Sequence, residues 1–303
     1  MTDHAPMPGV ADPLDLHGVV PPTITAFDES ETLDIETTVA HAEFVVDSGV
    51  HGVFPLGTNG EFALLSDAER DRVVTAVVEA IDTVPVIAGV GAPSTRRTIS
   101  HAEHAESVGA DGVVVVTPYY YPLDHTAAVE HYRRVTEAID LPVYIYHIPG
   151  RTGNTLALET LDAIAAMDGT AGMKDSSKDI PWLGQAIDRN PELTALVGSD
   201  SLLFAGLEIG CAGAVSAVAN VFPELVVGLY EAYDAGDEPR ARKIQSTIFE
   251  IRQALKAGPY MAGVKTALRL RGFNGGGLRC PLRAFDAEEV ATLETTLEEI
   301  DVL

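Results

Sequence analysis

The chain has 303 residues, of which 46% are hydrophobic, and it carries a net charge of −25. Its length accommodates two average domains or one α/β barrel of about 250 residues. The acidity argues against nucleic acid and anionic membrane surfaces as partners, because phosphate binding needs a basic face. No apolar run approaches the roughly 18 residues of a membrane span. Residues 1–15 lack an apolar signal core, so we predict a disordered tail on a cytoplasmic protein.

Lysine is scarce in this chain: five lysines stand against fifteen arginines. Together with the net charge, this composition favours adaptation to a salt-rich cytoplasm, where ions screen self-repulsion over a few ångströms. An ordinary acidic protein is the alternative. The two hypotheses differ in one respect, because only a salt-adapted protein loses stability when salt is removed.

Strand-like and helix-like segments alternate along most of the chain. The predicted strands are 19–25, 52–55, 84–90, 111–116, 142–148, 170–174, 193–197 and 212–217. The predicted helices between them are 35–47, 66–82, 95–108, 124–139, 156–167, 180–189 and 201–209. Ser66 and Glu69 form a capping box at the start of the second helix.

The apolar runs of the strands are continuous, as expected for parallel strands that are covered on both faces. Eight strand–helix units close into a (β/α)8 TIM barrel, which is the fold that we predict. A doubly wound open sheet is the alternative, but it usually has fewer strands and a glycine-rich first turn, which this chain lacks.

The alternation stops after the eighth strand. Residues 223–235 form a helix that completes the barrel, and three further helices are predicted at 238–257, 260–271 and 287–299. We therefore predict a barrel over residues 16–235, followed by a C-terminal helical extension over residues 236–303.

In a barrel of this kind, the active site lies at the C-terminal ends of the strands. Lys174 ends the sixth predicted strand after Ala171-Gly172-Met173. Burial there favours the neutral amine, and a neutral amine attacks a ketone to form a Schiff base. A surface lysine is the alternative, but the scarcity of lysine favours a catalytic role.

Tyr146 lies near the end of the neighbouring strand and shares its face with Tyr144 and Ile148. The simplest interpretation is an aromatic core residue. Its place at the strand tip favours a functional role instead, because a phenol beside an imine and a hydroxyl can transfer a proton.

Two loops add candidate binding groups. Gly57-Thr58-Asn59-Gly60 is a tight turn whose N–H groups and side chains can bind a carboxylate, although an ordinary strand–helix turn has the same pattern. Arg151 follows Pro149-Gly150 in a loop and offers a planar fork for a carboxylate or phosphate, unless it is a solvated arginine. Ser199 follows the seventh strand at the same end of the barrel.

We predict no metal site. His101 and His104 lie three residues apart on one helix, without a third ligand nearby, and we interpret them as a solvated helix face. Cys211 and Cys280 are too few for a zinc or iron–sulfur site and are expected to be reduced.

Several strand-end motifs together resemble one family, the dihydrodipicolinate synthase / N-acetylneuraminate lyase family of class I pyruvate aldolases. The resemblance covers nearly all of the chain from His17 onward. The matching pieces are Gly57-Thr58-Asn59-Gly60-Glu61, Thr117-Pro118-Tyr119-Tyr120, Tyr146-His147-Ile148-Pro149 and Gly172-Met173-Lys174-Asp175.

The resemblance implies roles for these residues. Lys174 would form the imine with a 2-keto acid such as pyruvate, so no cofactor is expected, and Tyr146 would relay protons. Thr58 and its turn would hold the pyruvyl carboxylate, with Val215 nearby. Tyr120 matches a tyrosine that reaches into a neighbouring subunit's site, which implies a homo-oligomer, usually a tetramer built from two dimers.

The motifs point to two different reactions within the family. Arg151-Thr152-Gly153 resembles the synthases, which condense pyruvate with aspartate semialdehyde. Tyr121-Pro122, Lys174-Asp175 and Gly198-Ser199-Asp200 resemble archaeal 2-keto-3-deoxygluconate aldolases. We favour an aldolase that cleaves 2-keto-3-deoxygluconate or its 6-phosphate to pyruvate and an aldehyde. The alternatives are 4-hydroxy-tetrahydrodipicolinate synthase and a non-catalytic protein that binds a keto acid.

Overall fold

The protein is described by a computed structural model that covers Leu14 and residues 16–303. Apart from Leu14, the predicted tail at residues 1–15 lies outside the described residues. Within the described part, no helix is long and apolar enough to cross a membrane.

Most strands of the described chain are short and parallel. They are β1 (Gly18–Val19), β2 (Ala26–Phe27), β3 (Leu33–Asp34), β4 (Ile87–Gly89), β5 (Gly112–Val116), β6 (Val143–His147), β7 (Thr170–Asp175), β8 (Thr194–Val197) and β9 (Gly213–Ala214). One sheet has the order β1-β9-β8-β7-β6-β5-β4, and all its pairs are parallel. The antiparallel hairpin β2–β3 was not predicted.

Helices alternate with these strands as predicted, with ends that differ by at most three residues, and only the one-turn helix α5 was not predicted. They are α1 (Ile35–Asp47), α2 (Asp67–Ala80), α3 (Thr95–Ser107), α4 (His125–Thr136), α5 (Pro149–Thr152), α6 (Leu158–Ala165), α7 (Ile180–Arg189), α8 (Leu203–Glu208), α9 (Pro223–Asp234), α10 (Glu238–Ala254), α11 (Tyr260–Leu270) and α12 (Ala287–Glu299). The capping box of Ser66 and Glu69 is confirmed.

Residues 51–55 close the sheet into a barrel. The Phe54 N–H donates to the Pro21 carbonyl at 3.0 Å, and the Ile87 N–H donates to the Val53 carbonyl at 3.0 Å. These bonds join β1 to β4, so the predicted (β/α)8 barrel is confirmed. The first predicted strand is shorter than expected because Pro21 and Pro22 have no N–H to donate to a ladder.

Two layers of core cover the strands on their two faces. Val114, Val116 and Tyr144 face the barrel interior, whereas Val113 and Val115 pack against the surrounding helices. This alternation follows from the two-residue period of a strand. Tyr146 belongs to the interior set and stands near its C-terminal end.

The C-terminal helices α10 to α12 pack beside the barrel, with α10 against α9 and α12. The division into a barrel at 16–235 and an extension at 236–303 stays a prediction. The helices reach the C-terminal end of the barrel, because Tyr260 of α11 and Arg252 of α10 line the same cavity as Lys174.

A buried ion pair joins this extension to the predicted binding turn. Lys265 of α11 donates to a Glu61 carboxylate oxygen and to the Thr25 carbonyl, both at 2.7 Å, and also to the Gly277 carbonyl. All three protons of the ammonium group therefore have acceptors. Because Glu61 ends the turn that carries Thr58, the pair holds that turn in place.

We expect Lys265→Met to lower the free energy of unfolding by about 3–5 kcal/mol, because it leaves the Glu61 carboxylate buried without a cation. The double variant Lys265→Met/Glu61→Gln should recover part of this loss. Chemical denaturation of the three proteins measures the difference. Equal stability of the single and double variants would show that the pair contributes no such coupling.

Candidate active site

Lys174 and Tyr146 are neighbours in the register of β7 and β6. The Lys174 Nζ lies 3.8 Å from the centroid of the Tyr146 ring and 5.1 Å from that of Phe54. Both residues are almost fully buried, with exposed fractions of 4% and 3%. The structure thus brings together the amine and the phenol that the sequence predicts.

Burial and mutual interaction shift the pKa values of this pair. Desolvation lowers the pKa of Lys174 below its ordinary value, against the opposing effect of Tyr146. Burial alone would raise the pKa of Tyr146, but the Lys174 cation and hydrogen bonds from Thr58 and other neighbours outweigh it, so that this pKa is also lowered. An amine that is less basic than usual, beside a phenol that is more acidic than usual, suits nucleophilic attack followed by proton transfer.

The predicted turn places two groups beside the pair. The Thr58 hydroxyl lies 3.2 Å from the Tyr146 hydroxyl, within hydrogen-bond distance. The Asn59 side chain is buried, and its Nδ2 has no hydrogen-bond partner. Such an unpaired buried donor is costly unless a ligand satisfies it.

One cavity of about 430 Å³ collects most of the predicted site. The predicted residues that line it are Thr58, Asn59, Tyr146, Arg151, Lys174, Ser199 and Val215. The Ser199 hydroxyl is buried without a hydrogen-bond partner, like the Asn59 amide. Arg151 is exposed and belongs to the one-turn helix α5 rather than to a loop.

Two predicted residues do not line this cavity. Gly57 packs into the turn, where an added Cβ would lie 3.0 Å from both the Phe54 ring and Pro22, so its contribution is to the shape of the turn. Tyr120 is 85% exposed and stacks edge-on against Tyr121, with ring centroids 5.1 Å apart. A single chain therefore does not bring Tyr120 to Lys174.

Gly198, the residue after β8, lies against the lysine and was not recognised as a site residue from the sequence. A Cβ at this position would lie 2.1 Å from the Ser176 Oγ and 2.8 Å from the Lys174 Cε. Only a glycine leaves room for the lysine side chain in its present position.

We expect Gly198→Ala to reduce turnover by about 10²-fold, because displacing a reacting group by about 1 Å has effects of that size. Gly184→Ala in α7 is the matched control, since nothing lies within 4 Å of its added Cβ. Rates of product release and of imine trapping should both fall in the first variant only. Unchanged rates in Gly198→Ala would show that the Lys174 side chain can move aside without loss of activity.

His147, to which the sequence assigns no role, forms a buried pair with Asp175. The two side chains lie on the faces of β6 and β7 opposite to Tyr146 and Lys174. The His147 Nδ1 lies 2.8 Å from the Asp175 carboxylate, and the Leu156 N–H donates to its Nε2 at 3.3 Å. These partners place the proton on Nδ1, which donates to Asp175. His147 and Asp175 directly follow Tyr146 and Lys174, so their hydrogen bond holds the two strand tips in register.

The sequence missed a group of cavity residues that come from outside the strand ends. Lys178, Arg252, Lys256 and Tyr260 all line the cavity, beside Asp200 of the strand-end motif Gly198-Ser199-Asp200. Arg252, Lys256 and Tyr260 belong to the C-terminal extension, which the rule of strand ends does not reach. The scarcity of lysine was a usable signal, because Lys174, Lys178 and Lys256 are three of the five lysines in the chain.

The described residues include no group of three or more His, Cys, Asp or Glu side chains that could hold a metal ion. The interpretation of His101 as part of a solvated face is wrong, because it is buried beside Asp67, with 7% exposed. Burial lowers its pKa to about 4. His104 is half-buried and lies 3.1 Å from the Thr75 hydroxyl.

Comparison with known proteins places the chain in one family. The profile of the Dihydrodipicolinate synthetase family matches residues 15–300. An uncharacterised DapA-like lyase from Halobacterium salinarum is 70% identical over the full length of both chains. A 4-hydroxy-tetrahydrodipicolinate synthase from Natronomonas pharaonis is 36% identical, and the match covers 94% of this chain and 97% of that one.

Solved structures agree with these relatives. YagE from E. coli K12, a protein of the dihydrodipicolinic acid synthase family solved in complex with pyruvate, superposes with a TM-score of 0.91. It is 31% identical, and the match covers 95% of this chain and 99% of that chain. The predicted family, barrel fold and enzyme class are confirmed: the chain belongs to the dihydrodipicolinate synthetase family, whose members are class I lyases that form a Schiff base between a lysine and pyruvate without an external cofactor.

Proposed function

We propose that the protein is an aldolase that cleaves 2-keto-3-deoxy sugar acids, such as 2-keto-3-deoxygluconate or its 6-phosphate, to pyruvate and an aldehyde. The observation that supports this most directly is the Lys174 amine, buried 3.8 Å from the centroid of the Tyr146 ring in a cavity of about 430 Å³. In the proposal, Lys174 is the nucleophile and Tyr146 the acid–base group.

The reaction begins when the neutral Lys174 amine attacks the C2 carbonyl of the substrate. Tyr146 donates its proton to the departing hydroxyl group, so that water leaves and a protonated imine remains beside the Tyr146 phenolate. The phenolate removes the proton of the C4 hydroxyl, the C3–C4 bond breaks, and the aldehyde leaves. The electron pair of that bond forms an enamine on C2–C3, which takes the proton of Tyr146 at C3. Hydrolysis of the resulting imine releases pyruvate and restores the amine.

In the proposal, the pyruvyl carboxylate binds at the turn beside this pair. The Asn59 Nδ2 and the Ser199 hydroxyl are buried donors without partners, and a carboxylate can accept from both. Thr58 fixes the Tyr146 hydroxyl at 3.2 Å, and the buried Val215 covers the apolar side of the substrate.

The charge of the cavity favours a sugar acid over aspartate semialdehyde. Its lining holds the cations Arg151, Lys178, Arg252 and Lys256 besides the reactive lysine, against one carboxylate, Asp200. Aspartate semialdehyde is a zwitterion: such a lining attracts its carboxylate but repels its ammonium group, so the net attraction is weaker than for an anionic sugar acid. A sugar acid brings only hydroxyl groups and negative charge into the same space.

The synthase reaction is the second candidate, because Arg151 and the contact between Thr58 and Tyr146 would serve it equally well. Pyruvate release from 2-keto-3-deoxygluconate and from its 6-phosphate separates the two reactions. We expect release from at least one of them and no turnover of aspartate semialdehyde with pyruvate. Turnover of the semialdehyde alone would assign the protein to the synthase reaction.

We also propose that Tyr120 completes the site of a second copy in a homotetramer. Two adjacent exposed aromatic side chains, 85% and 69% exposed at Tyr120 and Tyr121, are typical of a surface that another chain covers. Light scattering should give a tetramer for the native protein and smaller species for Tyr120→Asp/Tyr121→Asp. A native monomer with full activity would contradict this.

Salt adaptation stays a proposal, which the net charge of −25 supports. We propose that the protein works in a salt-rich cytoplasm. We expect the midpoint of thermal unfolding to fall steadily as KCl is lowered from molar to millimolar concentration, because unscreened carboxylates repel one another. A midpoint that is independent of KCl would contradict the idea.

A further inference from the structure

His147 and Asp175 are the last residues of β6 and β7, and they lie opposite each other in the register. Both are buried, with 1% and 2% exposed. Pro149, which opens α5 two residues later, has no N–H with which to extend the ladder. Tyr146 and Lys174 therefore stand one residue before their strands end, where a strand pair opens most easily.

Both ring nitrogens of His147 have partners. The Nδ1 donates to the Asp175 carboxylate at 2.8 Å, and the Nε2 accepts from the Leu156 N–H at 3.3 Å. The bond to the carboxylate is the shorter one and, because its acceptor is ionised, the stronger one. The second oxygen of Asp175 accepts from the Ser177 hydroxyl at 2.8 Å, so that the carboxylate is held from two sides.

The bond to Leu156 closes a loop of the chain. Residues 148–155 leave β6, form α5 and return to the imidazole, and Arg151 within them lines the cavity. Trp182 of α7 fixes the point of closure. Its ring centroid lies 4.3 Å from that of His147, and its Nε1 donates to the Leu156 carbonyl at 3.1 Å. The imidazole thus connects the tip of β6 to the far end of the Arg151 loop.

We propose that His147 is a positioning residue of the active site with two separable contributions. Through Nδ1 it aligns Tyr146 with Lys174, and through Nε2 it sets the position of Arg151. His147 itself lies on the other face of β6, between the sheet and α7, and is not part of the cavity lining. The proposal rests on the roles given above to Lys174 and Tyr146 and adds the residue that holds them together.

Two amide side chains separate the contributions. Asparagine places its NH₂ group where Nδ1 stands, so His147→Asn keeps a donor for Asp175 and leaves the Leu156 N–H without its acceptor. Glutamine is one methylene longer and places its amide where Nε2 stands. His147→Gln therefore keeps an acceptor for the Leu156 N–H and removes the Nδ1 donor.

The experiment measures kcat and KM for pyruvate release from 2-keto-3-deoxygluconate and its 6-phosphate, together with the rate at which borohydride traps pyruvate on Lys174. His147→Gln should lower kcat and the trapping rate by about 10–100-fold at nearly native KM, because misplacing a reacting group by about 1 Å has effects up to that size. His147→Asn should keep kcat within about 3-fold and raise KM by about 3–10-fold, the effect of one hydrogen bond on the Arg151 loop.

His131 is the matched control, because it is also a buried histidine, with 3% exposed, whose Nδ1 lies 2.9 Å from a partner, the Thr95 hydroxyl. It joins α4 to α3 and takes no part in the lining of the cavity. His131→Asn and His131→Gln should lower the free energy of unfolding, as the His147 variants do, and should leave kcat, KM and the trapping rate unchanged.

The split between kcat and KM distinguishes positioning from packing. Native kcat and trapping in His147→Gln, or equal losses of kcat in both His147 variants, would overturn the proposal, because a residue that only stabilises the fold behaves in that way. If His147→Gln does not fold, His147→Asn decides: native kcat with a raised KM supports the proposal, and a kcat more than 10-fold lower or an unchanged KM overturns it. Failure of the native protein to cleave either sugar acid would contradict the aldolase reaction alone, since the trapping rates need only pyruvate and still test the alignment.

Discussion

The variant Lys174→Met should lose turnover by about 10⁴–10⁶-fold, the range seen when a covalent nucleophile is removed. Methionine keeps the length of the side chain and fits its almost fully buried position, which has 4% exposed. Burial already lowers the pKa of Lys174, so removing the charge relieves a desolvation cost rather than creating one. Stability should therefore be unchanged or slightly higher while activity disappears.

Lys243→Met is the control for this variant, because Lys243 is exposed on α10 and takes no part in the lining of the cavity. It should retain native rates. Pyruvate release and the free energy of unfolding are measured on both proteins. If Lys174→Met turned over substrate within 10-fold of the native rate, Lys174 would not be the nucleophile.

The variant Tyr146→Phe should lower kcat by about 10²–10⁴-fold, the usual contribution of a positioned acid–base group. Removing the hydroxyl leaves the ring under Lys174 but takes away the group that would receive the C4 proton. The Thr58 hydroxyl, 3.2 Å away, loses its partner at the same time. Imine formation with pyruvate should slow less than cleavage, since the amine itself stays in place.

Tyr144→Phe is the matched control, two residues earlier on the same face of the same strand. Its hydroxyl donates to the Leu14 carbonyl at 3.2 Å and lies outside the lining of the cavity. Its loss should cost about 1 kcal/mol of stability and leave kcat unchanged. Equal kcat values for Tyr146→Phe and the native protein would eliminate the phenol as the proton acceptor.

The barrel was predictable because its strands repeat a simple pattern. Continuous apolar runs such as 111–116 fill both faces of a parallel strand, and turn residues follow each run. The pairing of Tyr146 with Lys174 follows from that pattern, since consecutive parallel strands end at the same edge.

Other features depend on contacts between distant parts of the chain, which a local sequence pattern does not reveal. The hairpin of Ala26–Phe27 with Leu33–Asp34 has two residues in each strand, too few for a periodic signal. Gly198 is recognisable only once the Lys174 side chain is placed 2.8 Å from its missing Cβ. Tyr120 is exposed in the single chain, and the contact proposed for it involves a second copy.

The cations at the C-terminal end of α10 could not be assigned to the cavity from the sequence, for the same reason. Arg252 and Lys256 read as ordinary surface charges on an amphipathic helix, and the sequence places them in an extension rather than at a strand end. Only the packing of that helix over the barrel brings them into the cavity of Lys174. The lining of the cavity therefore includes residues far from the strand motifs.

Reduction with borohydride in the presence of pyruvate tests the central claim most directly, because it converts an imine into a stable amine that peptide mass spectrometry can locate. We predict one pyruvyl-derived adduct per chain, on the peptide that contains Lys174. Because burial lowers the pKa of Lys174, adduct formation should increase with pH already below the ordinary pKa of lysine. An adduct on Lys178 or Lys256 instead, or no adduct in a protein that turns substrate over, would contradict the account.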